Sequence, residues 1–252
     1  MKKQRLDVAL VERGLAETRS KAQSLIMARR VTVNGQYVDK AGAGVGGDDE
    51  VAIVALEHPW VGRGGMKLAH ALAELAIDVR DKVCADVGAS TGGFTDVLLK
   101  NGARRVYAID VGYGQLDASL RNDPRVVNRE KVNARYLEAG DFGEPVDFVS
   151  IDVSFISLTL ILPAVAKFLR GELVALIKPQ FEVGKADVGK GGIVRDEAKR
   201  AAAVDAVVAF ARSIGFDVKR VIESPIKGAE GNVEYLMYAT GTPADRPSTT
   251  PA

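Results

Sequence analysis

Four charged side chains occupy positions where an α/β protein carries its chemistry. Asp152 and Lys178 each end an apolar stretch that has the composition of a buried strand. Lys67 stands where a glycine-rich segment passes into a helix, and Glu234 opens the last predicted strand. Packing explains charges at the ends of apolar strands poorly, and lysines grouped with carboxylates can hold and remove a proton. For Lys67 alone, a solvent-facing lysine is the alternative interpretation.

The elements that must position these charges are organised around a glycine-rich stretch, ADVGASTGGFT at 85–95. An apolar run leads into it and a helical pattern follows it, which predicts the opening unit of a doubly wound, Rossmann-like α/β domain. Its glycines let the backbone approach a ligand at the carboxyl edge of the sheet. The dinucleotide pattern G-x-G-x-x-G is absent, because Ser90 occupies its second glycine position. The candidate ligand-binding residues of the turn are Gly88, Ser90, Thr91, Gly92, Gly93 and Phe94.

Two carboxylates flank this turn and indicate the ligand. Asp86 precedes the first glycine, and Asp110 closes the next apolar strand. An acid at the end of the second strand suits a ribose diol, and an acid in the first turn suits a cationic amine. S-adenosylmethionine has both groups, so we expect it to bind here, with Asn133 as a candidate for the adenine edge. For the two acids, the alternative is a tight turn with a helix-capping acid and no ligand. For Asn133, the alternative is a simple loop turn.

Composition is typical of a soluble protein from a reducing compartment. The 252 residues, 47% of them hydrophobic, suffice for one α/β domain and a small extra module. The lone cysteine, Cys84, excludes disulfides, and with only two histidines a soft-ligand metal site is not expected. The N-terminus lacks the apolar segment of a signal peptide, and no apolar run approaches transmembrane length. We therefore expect a cytoplasmic protein with no membrane or metal partner.

A basic module precedes this domain: residues 1–40 carry nine Lys/Arg against four acids, although the whole chain has a net charge of +1. Two short helices are predicted, the second capped by Thr18, followed by a hairpin that turns at Asn34-Gly35. The arrangement resembles the S4 RNA-binding domain. The matching segments are 5–7, 14–15, 18–22 and 31–35. The resemblance implies a basic helix face that lies on structured RNA, and a solvated basic face is the alternative. The candidate RNA-binding residues are Arg5, Arg19, Lys21 and Arg30.

The order Lys67, Asp152, Lys178, Glu234 resembles the K-D-K-E tetrad of the FtsJ/RrmJ-type ribose 2′-O-methyltransferases. The surrounding motifs are similar to those of the TlyA family, which joins an S4 domain to an FtsJ-like domain and whose members have also been labelled haemolysins. The segments that carry this similarity are 88–95, 110–116, 120–126, 154–158, 178–184 and 231–235. The resemblance implies methyl transfer from S-adenosylmethionine to a ribose 2′-hydroxyl, of a cytidine, in ribosomal RNA. The sequence ends soon after its last strand, as in the shorter members, which leaves the ribosomal subunit open.

The resemblance also implies a mechanism, in which the ribose hydroxyl loses its proton as its oxygen attacks the methyl carbon. Lys178 is the candidate base, because the sulfonium and Lys67 both disfavour its ammonium form. Asp152 and Glu234 orient the lysines and favour the ammonium form of Lys178, so the four groups titrate together. Asp152 also borders the expected cofactor site. Neither a metal nor a covalent intermediate is required.

A long loop is predicted at 179–197, beside the proposed base, and it contains Lys185, Lys190 and Arg195. Long loops in compact domains are usually functional or disordered. We expect a flexible cationic loop that closes over the RNA backbone, with Lys185 and Lys190 on phosphates; an ordinary solvated loop is the alternative.

The expected organisation has four parts: an S4 domain at 1–58, a linker at 59–64, a methyltransferase domain at 65–241 and a disordered tail at 242–252. Three other classes of function stay open. A ribosome-binding factor would need the S4 module but not the tetrad, and a small-molecule methyltransferase would need no basic arm. A pore-forming haemolysin would need a membrane-active segment, and none is visible.

Overall fold

The computed structural model describes residues 3–27, 30–54, 58–184, 187–228 and 230–241. The tail predicted at 242–252 lies outside the described residues, and so does Lys185, one of the candidate RNA-binding residues.

A small α+β module forms the N-terminal part. Helices α1 (Leu6–Glu12) and α2 (Arg19–Met27) pack against each other and enclose an apolar core with the strands around them. The strands are β1 (Gln4–Arg5), β2 (Val31–Val33), β3 (Gln36–Tyr37), β4 (Gly44–Val45) and β5 (Val51–Ile53). The predicted hairpin is confirmed: β2 pairs with β3, and both turn residues, Asn34 and Gly35, have positive φ. The short β1–β4 pair was not predicted from the sequence.

A seven-stranded sheet forms the centre of the second part. Its strands are β6 (Val83–Val87), β7 (Arg105–Ile109), β8 (Val126–Arg129), β9 (Val146–Ile151), β10 (Leu169–Ile177), β11 (Phe216–Glu223) and β12 (Tyr235–Gly241). The order across the sheet is β11-β12-β10-β9-β6-β7-β8, with β12 antiparallel to both of its neighbours. Because successive side chains of a strand alternate, Ala85 and Val87 join one apolar cluster and Cys84 joins the other, one on each face.

Helices connect these strands and cover both faces. They are α3 (Gly65–Glu74), α4 (Gly93–Lys100), α5 (Ala118–Arg121), α6 (Leu162–Phe168), α7 (Pro179–Glu182) and α8 (Glu197–Ser213). Short 3₁₀ turns occur at Ala134–Tyr136, Ala139–Asp141 and Leu158–Leu160. In the described ranges, no helix has the length and apolar character needed to cross a bilayer.

The reversal of β12 fixes the layout of the reactive edge. The parallel strands β9 and β10 end side by side, so Asp152 and Lys178 follow neighbouring strand ends. Because β12 runs the other way, it begins opposite the end of β10, where Tyr235 pairs with Ile177. Glu234, the residue before β12, is therefore delivered to the same edge by the start of a strand.

The predicted loop at 179–197 is more ordered than the sequence indicated. Its first residues form α7, and Gly189 and Ile193 make an antiparallel bridge that folds the middle into a small turn. The buried side chain of Asn232 accepts a hydrogen bond from Val194 N–H (3.0 Å) and donates one to Gly192 O (2.8 Å). Around 189–194, the expectation of a flexible loop is corrected to a turn that is hydrogen-bonded to the segment before β12.

Candidate active site

Lys67 and Glu234 form a buried ion pair. Lys67 lies in the first turn of α3, where the helix dipole disfavours a cation. Its Nζ is 2.5 Å from Glu234 Oε2, and the side chains are only 9% and 3% exposed. Gly228 is required beside this pair, because a Cβ at that position would collide with the Glu234 carboxylate. Lys67 is therefore held at the reactive edge instead of facing solvent.

Lys178 and Asp152 form a second pair on the neighbouring strand ends. The distance from Lys178 Nζ to Asp152 Oδ1 is 2.6 Å, although the angle is poor for a hydrogen bond, and Nζ donates to Ser154 Oγ at 2.9 Å. Burial alone would raise the pKa of Asp152, but attraction to Lys178 and Lys67 outweighs it, so this pKa lies below its usual value. Asp152 is thus held as a carboxylate between two ammonium groups.

Two cavities meet at this edge of the sheet. One, of about 310 Å³, is lined by Lys67, Asp152 and Lys178 together with the glycine turn. The other, of about 910 Å³, extends from the same turn past Asp110 and Asn133. The residues that line both are Gly88, Ser90, Asp152 and Ser154. The arrangement suits two ligands whose reacting ends come together beside Asp152.

Residues of the glycine turn line both cavities. Gly88 has φ +88°, and a Cβ there would collide with the main-chain carbonyl of Asp152, so only glycine permits this approach. The predicted turn residues Gly88, Ser90, Thr91, Gly93 and Phe94 all line the smaller cavity. Gly92 does not; its φ of +97° and its contact with Leu120 and Leu116 give it a structural role at the start of α4.

Asp110 and Asn133, two of the predicted cofactor-binding residues, both line the larger cavity. The Asp110 carboxylate accepts hydrogen bonds from Ser90 N–H (2.8 Å) and Gly112 N–H (2.7 Å), which fix its orientation. Each oxygen keeps a further lone pair for a ligand hydroxyl. Asn133 caps the following 3₁₀ turn by accepting from Arg135 N–H at 3.2 Å, and its amide nitrogen is not used in that contact.

Comparison with known protein families identifies the family to which this arrangement of residues belongs. FtsJ-like methyltransferases match residues 60–240, which is well over half of the chain and includes all four tetrad residues. The chain belongs to the FtsJ-like methyltransferase family. The S4 domain matches residues 4–51, so the N-terminal module has the fold that its motifs predicted.

Full-length similarities extend the family assignment to both parts of the chain. The 16S/23S rRNA (cytidine-2′-O)-methyltransferase TlyA of Mycobacterium tuberculosis is 48% identical over 237 residues, covering 93% of this chain and 88% of that protein. Hemolysin A of Brachyspira hyodysenteriae is 46% identical over 238 residues, covering 93% and 98%. A solved structure from Streptococcus thermophilus superposes with a TM-score of 0.75 at 47% identity, covering 96% and 90%. The predicted membership of the TlyA family is confirmed.

Asp86, like Gly92, is a cofactor candidate that lines neither cavity. It is fully buried in β6, where its carboxylate accepts from Thr95 Oγ1 (2.7 Å) and Ser150 Oγ (3.2 Å). Burial raises its pKa to about 7, and these two hydrogen bonds oppose the rise only in part. Its position ties the start of α4 to β9 beneath the glycine turn. A direct contact with a ligand amine stays a prediction, and this placement does not favour it.

Two of the three candidate arginines of the S4 domain, Arg5 and Arg19, share one buried carboxylate. Asp7 is fully buried and accepts from Arg5 Nε and Nη2 (both 3.0 Å), Arg19 Nε (2.8 Å) and Gln23 Nε2 (2.8 Å). The Arg5 hydrogen bonds, more than the burial penalty that opposes them, hold the pKa of Asp7 well below its usual range. Both arginine side chains stay about half exposed, so each can still reach a phosphate.

The remaining candidate cations are placed differently. Lys21 lies 3.4 Å from Asp117, a contact between the S4 domain and the methyltransferase domain. Arg30 donates weakly to Val54 O at 3.4 Å and is partly buried. Lys190 is exposed at the tip of the turn in 189–193. Lys21, Arg30 and Lys190 therefore do not share the contact with Asp7 that joins Arg5 and Arg19.

Sequence reasoning missed several residues around the cavities. Phe155 lines the larger cavity, is 90% exposed and has φ +65°. The centroid of its ring lies 5.1 Å from that of Phe181, and the two rings are tilted against each other. Arg63 and Lys227 line the smaller cavity, where Asp152 is the only acid among the described residues that form its wall. Two signals were present in the sequence. Phe155 is an aromatic residue three positions after Asp152, and Arg63 lies inside the glycine segment that precedes Lys67.

Proposed function

We propose that this protein transfers a methyl group from S-adenosylmethionine to the ribose 2′-hydroxyl of a cytidine in ribosomal RNA. The observation that supports this most directly is the pair of lysine–carboxylate contacts, Lys67–Glu234 and Lys178–Asp152, at the cavity beside the glycine turn. The M. tuberculosis relative is named for this activity, and its similarity spans the same domains.

The cavities have the chemistry that the cofactor requires. Asp110 offers oriented carboxylate oxygens for a ribose diol, and the exposed Val111 side chain with Val132 offers apolar surface for a planar base. Gly88 lets a ligand approach the backbone closely. When bound, S-adenosylmethionine supplies an electrophilic methyl group on a positively charged sulfur. We assign the part of the larger cavity at Asp110 and Asn133 to its nucleoside and the glycine turn to its amino-acid part.

Lys178 is the proposed general base. Its Nζ is held by Ser154 and Asp152 at the point where the two cavities join, so a ribose hydroxyl placed there can donate its proton to it. Glu234 neutralises Lys67 and fixes its position. Alignment of the hydroxyl and the methyl group supplies the remaining acceleration.

The RNA side of the proposal rests on charge placement. Arg63, Lys67, Lys178 and Lys227 surround the smaller cavity, against the carboxylate of Asp152. Such a cluster attracts the phosphates on either side of a target ribose. The half-exposed arginines of the S4 domain supply a second contact area. We keep the proposed division into an S4 domain at 1–58, a linker at 59–64 and a methyltransferase domain from 65.

The decisive experiment is mapping of ribose methylation. Ribosomal subunits and bare ribosomal RNA lacking the modification would be incubated with the purified protein and S-adenosylmethionine, and 2′-O-methyl positions would be read along both large RNAs. A single new cytidine mark, lost in Lys178→Ala and retained in the exposed control Lys219→Ala, is expected. No new mark on either subunit or on bare RNA would refute the proposal.

A further inference from the structure

The loop that carries the missed aromatic is held in a strained conformation. Phe155 has φ +65°, which is unfavourable for a bulky side chain. Its ring is 90% exposed and touches Phe181, so burial of the ring does not offset this cost. Contacts elsewhere in the loop must therefore maintain the conformation.

Those contacts come from Lys178 and from the segment that follows it. At one end of the loop, Lys178 Nζ donates to Ser154 Oγ at 2.9 Å. At the other end, the Glu182 carboxylate accepts from Ser157 Oγ (2.5 Å) and from Leu158 N–H (2.9 Å). Between them lies the Phe155–Phe181 ring contact. The loop at 152–158 and α7 thus meet at three successive points.

Glu182 lines neither cavity. It is partly buried, and burial raises its pKa although both hydrogen bonds oppose that rise. An aspartate would be too short to reach both donors, and a glutamine could keep both contacts only by donating its amide N–H to Ser157 Oγ, which reverses that hydrogen bond. A carboxylate kept in a costly position points to a role in geometry.

We propose that Glu182 is a positioning residue that holds the loop at 152–158 in its strained form, so that Phe155, whose ring contacts Phe181 beside Lys178, faces the nucleotide to be methylated. The inference rests on the proposed function, because it assumes that RNA is the substrate at this edge. Glu182 acts through Phe155 and Ser154 and does not touch the reacting atoms.

The test is a double-mutant cycle with the full-length protein. Glu182→Gln should lower kcat at least tenfold and leave the Kd of S-adenosylmethionine within threefold, while the exposed control Glu223→Gln should change neither. In a Phe155→Ala background the same substitution should cost less than threefold, because the ring that it positions is gone. An equal loss in both backgrounds, or full activity of Glu182→Gln, would overturn the proposal.

A structural readout separates this proposal from the proposed function. A crystal structure of Glu182→Gln, or of Ser157→Ala if the first variant folds poorly, should show Phe155 at negative φ. Phe155 still at positive φ in either variant would overturn the role of Glu182. If the wild-type protein methylates no RNA but Phe155 relaxes in the variant, the positioning role stands and the proposed substrate fails.

Discussion

Asp86 gives a prediction that distinguishes a ligand contact from a buried structural acid. Its folded pKa is about 7 against 3.8 for an ordinary aspartate, because burial disfavours the charged form. The folded state therefore binds a proton more readily than the unfolded chain between these two values. The contribution of Asp86 to stability is fully present below pH 3.8 and is lost as the pH rises through about 7. The separation corresponds to about 4 kcal/mol.

The perturbation is Asp86→Asn, which removes the titration, keeps an oxygen acceptor for one of the two hydroxyls of Thr95 and Ser150, and offers an amide N–H to the other. The free energy of unfolding would be measured in urea from pH 4.5 to 8, with Trp60 as the single fluorescent tryptophan. The difference between wild type and variant should change by several kcal/mol across this range, in the direction that favours the variant at high pH. The exposed control Asp205→Asn should give parallel curves. Parallel curves for Asp86→Asn would refute the reasoning.

The same variant tests the ligand contact predicted from the sequence. If Asp86 only holds Thr95 and Ser150 beneath the turn, Asp86→Asn should change the Kd of S-adenosylmethionine less than threefold at pH 7.5. A loss of tenfold or more, about 1.4 kcal/mol, would show that the carboxylate reaches the ligand.

Three further outcomes are expected. Asp110→Ala should weaken S-adenosylmethionine binding at least tenfold in calorimetric titration, since an oriented carboxylate is lost; unchanged affinity would remove Asp110 from the site. Lys178→Ala should abolish methyl transfer to ribosomal RNA while the Kd of the cofactor stays within threefold, and full activity would exclude Lys178 as the base. Lys190→Ala should weaken RNA binding and lower the slope of log affinity against log salt by about one, whereas curves that superimpose on those of wild type and of Lys219→Ala would show no phosphate contact.

The sequence predicts the tetrad because its members occupy places where packing alone does not account for a charged side chain. Asp152 and Lys178 interrupt apolar runs at their ends, and parallel strands deliver such residues to one edge. The position of Glu234 was harder to predict, because an apolar pattern does not show in which direction β12 runs. Its inclusion depended on the family resemblance and not on periodicity.

Other features could not be predicted, for identifiable reasons. A buried parallel strand is covered on both faces, so the side chain of Asp86 had no solvent face that would mark its direction. The convergence of Arg5 and Arg19 on Asp7 depends on how two helices pack, which sequence spacing does not give. The positive φ of Phe155 belongs to a residue type for which no pattern signals that conformation.

The position of β12 also has a consequence for the order in which the protein becomes functional during synthesis. The last strand enters between β10 and β11, which both precede it in the chain, and Glu234 pairs with a lysine 167 residues earlier. Until that strand is inserted, β10 presents an open edge and Lys67 has no carboxylate from Glu234 beside it. A nascent chain that has completed its glycine turn and its S4 domain still lacks part of its catalytic group. We therefore expect methyl transfer only from chains that have been translated beyond β12.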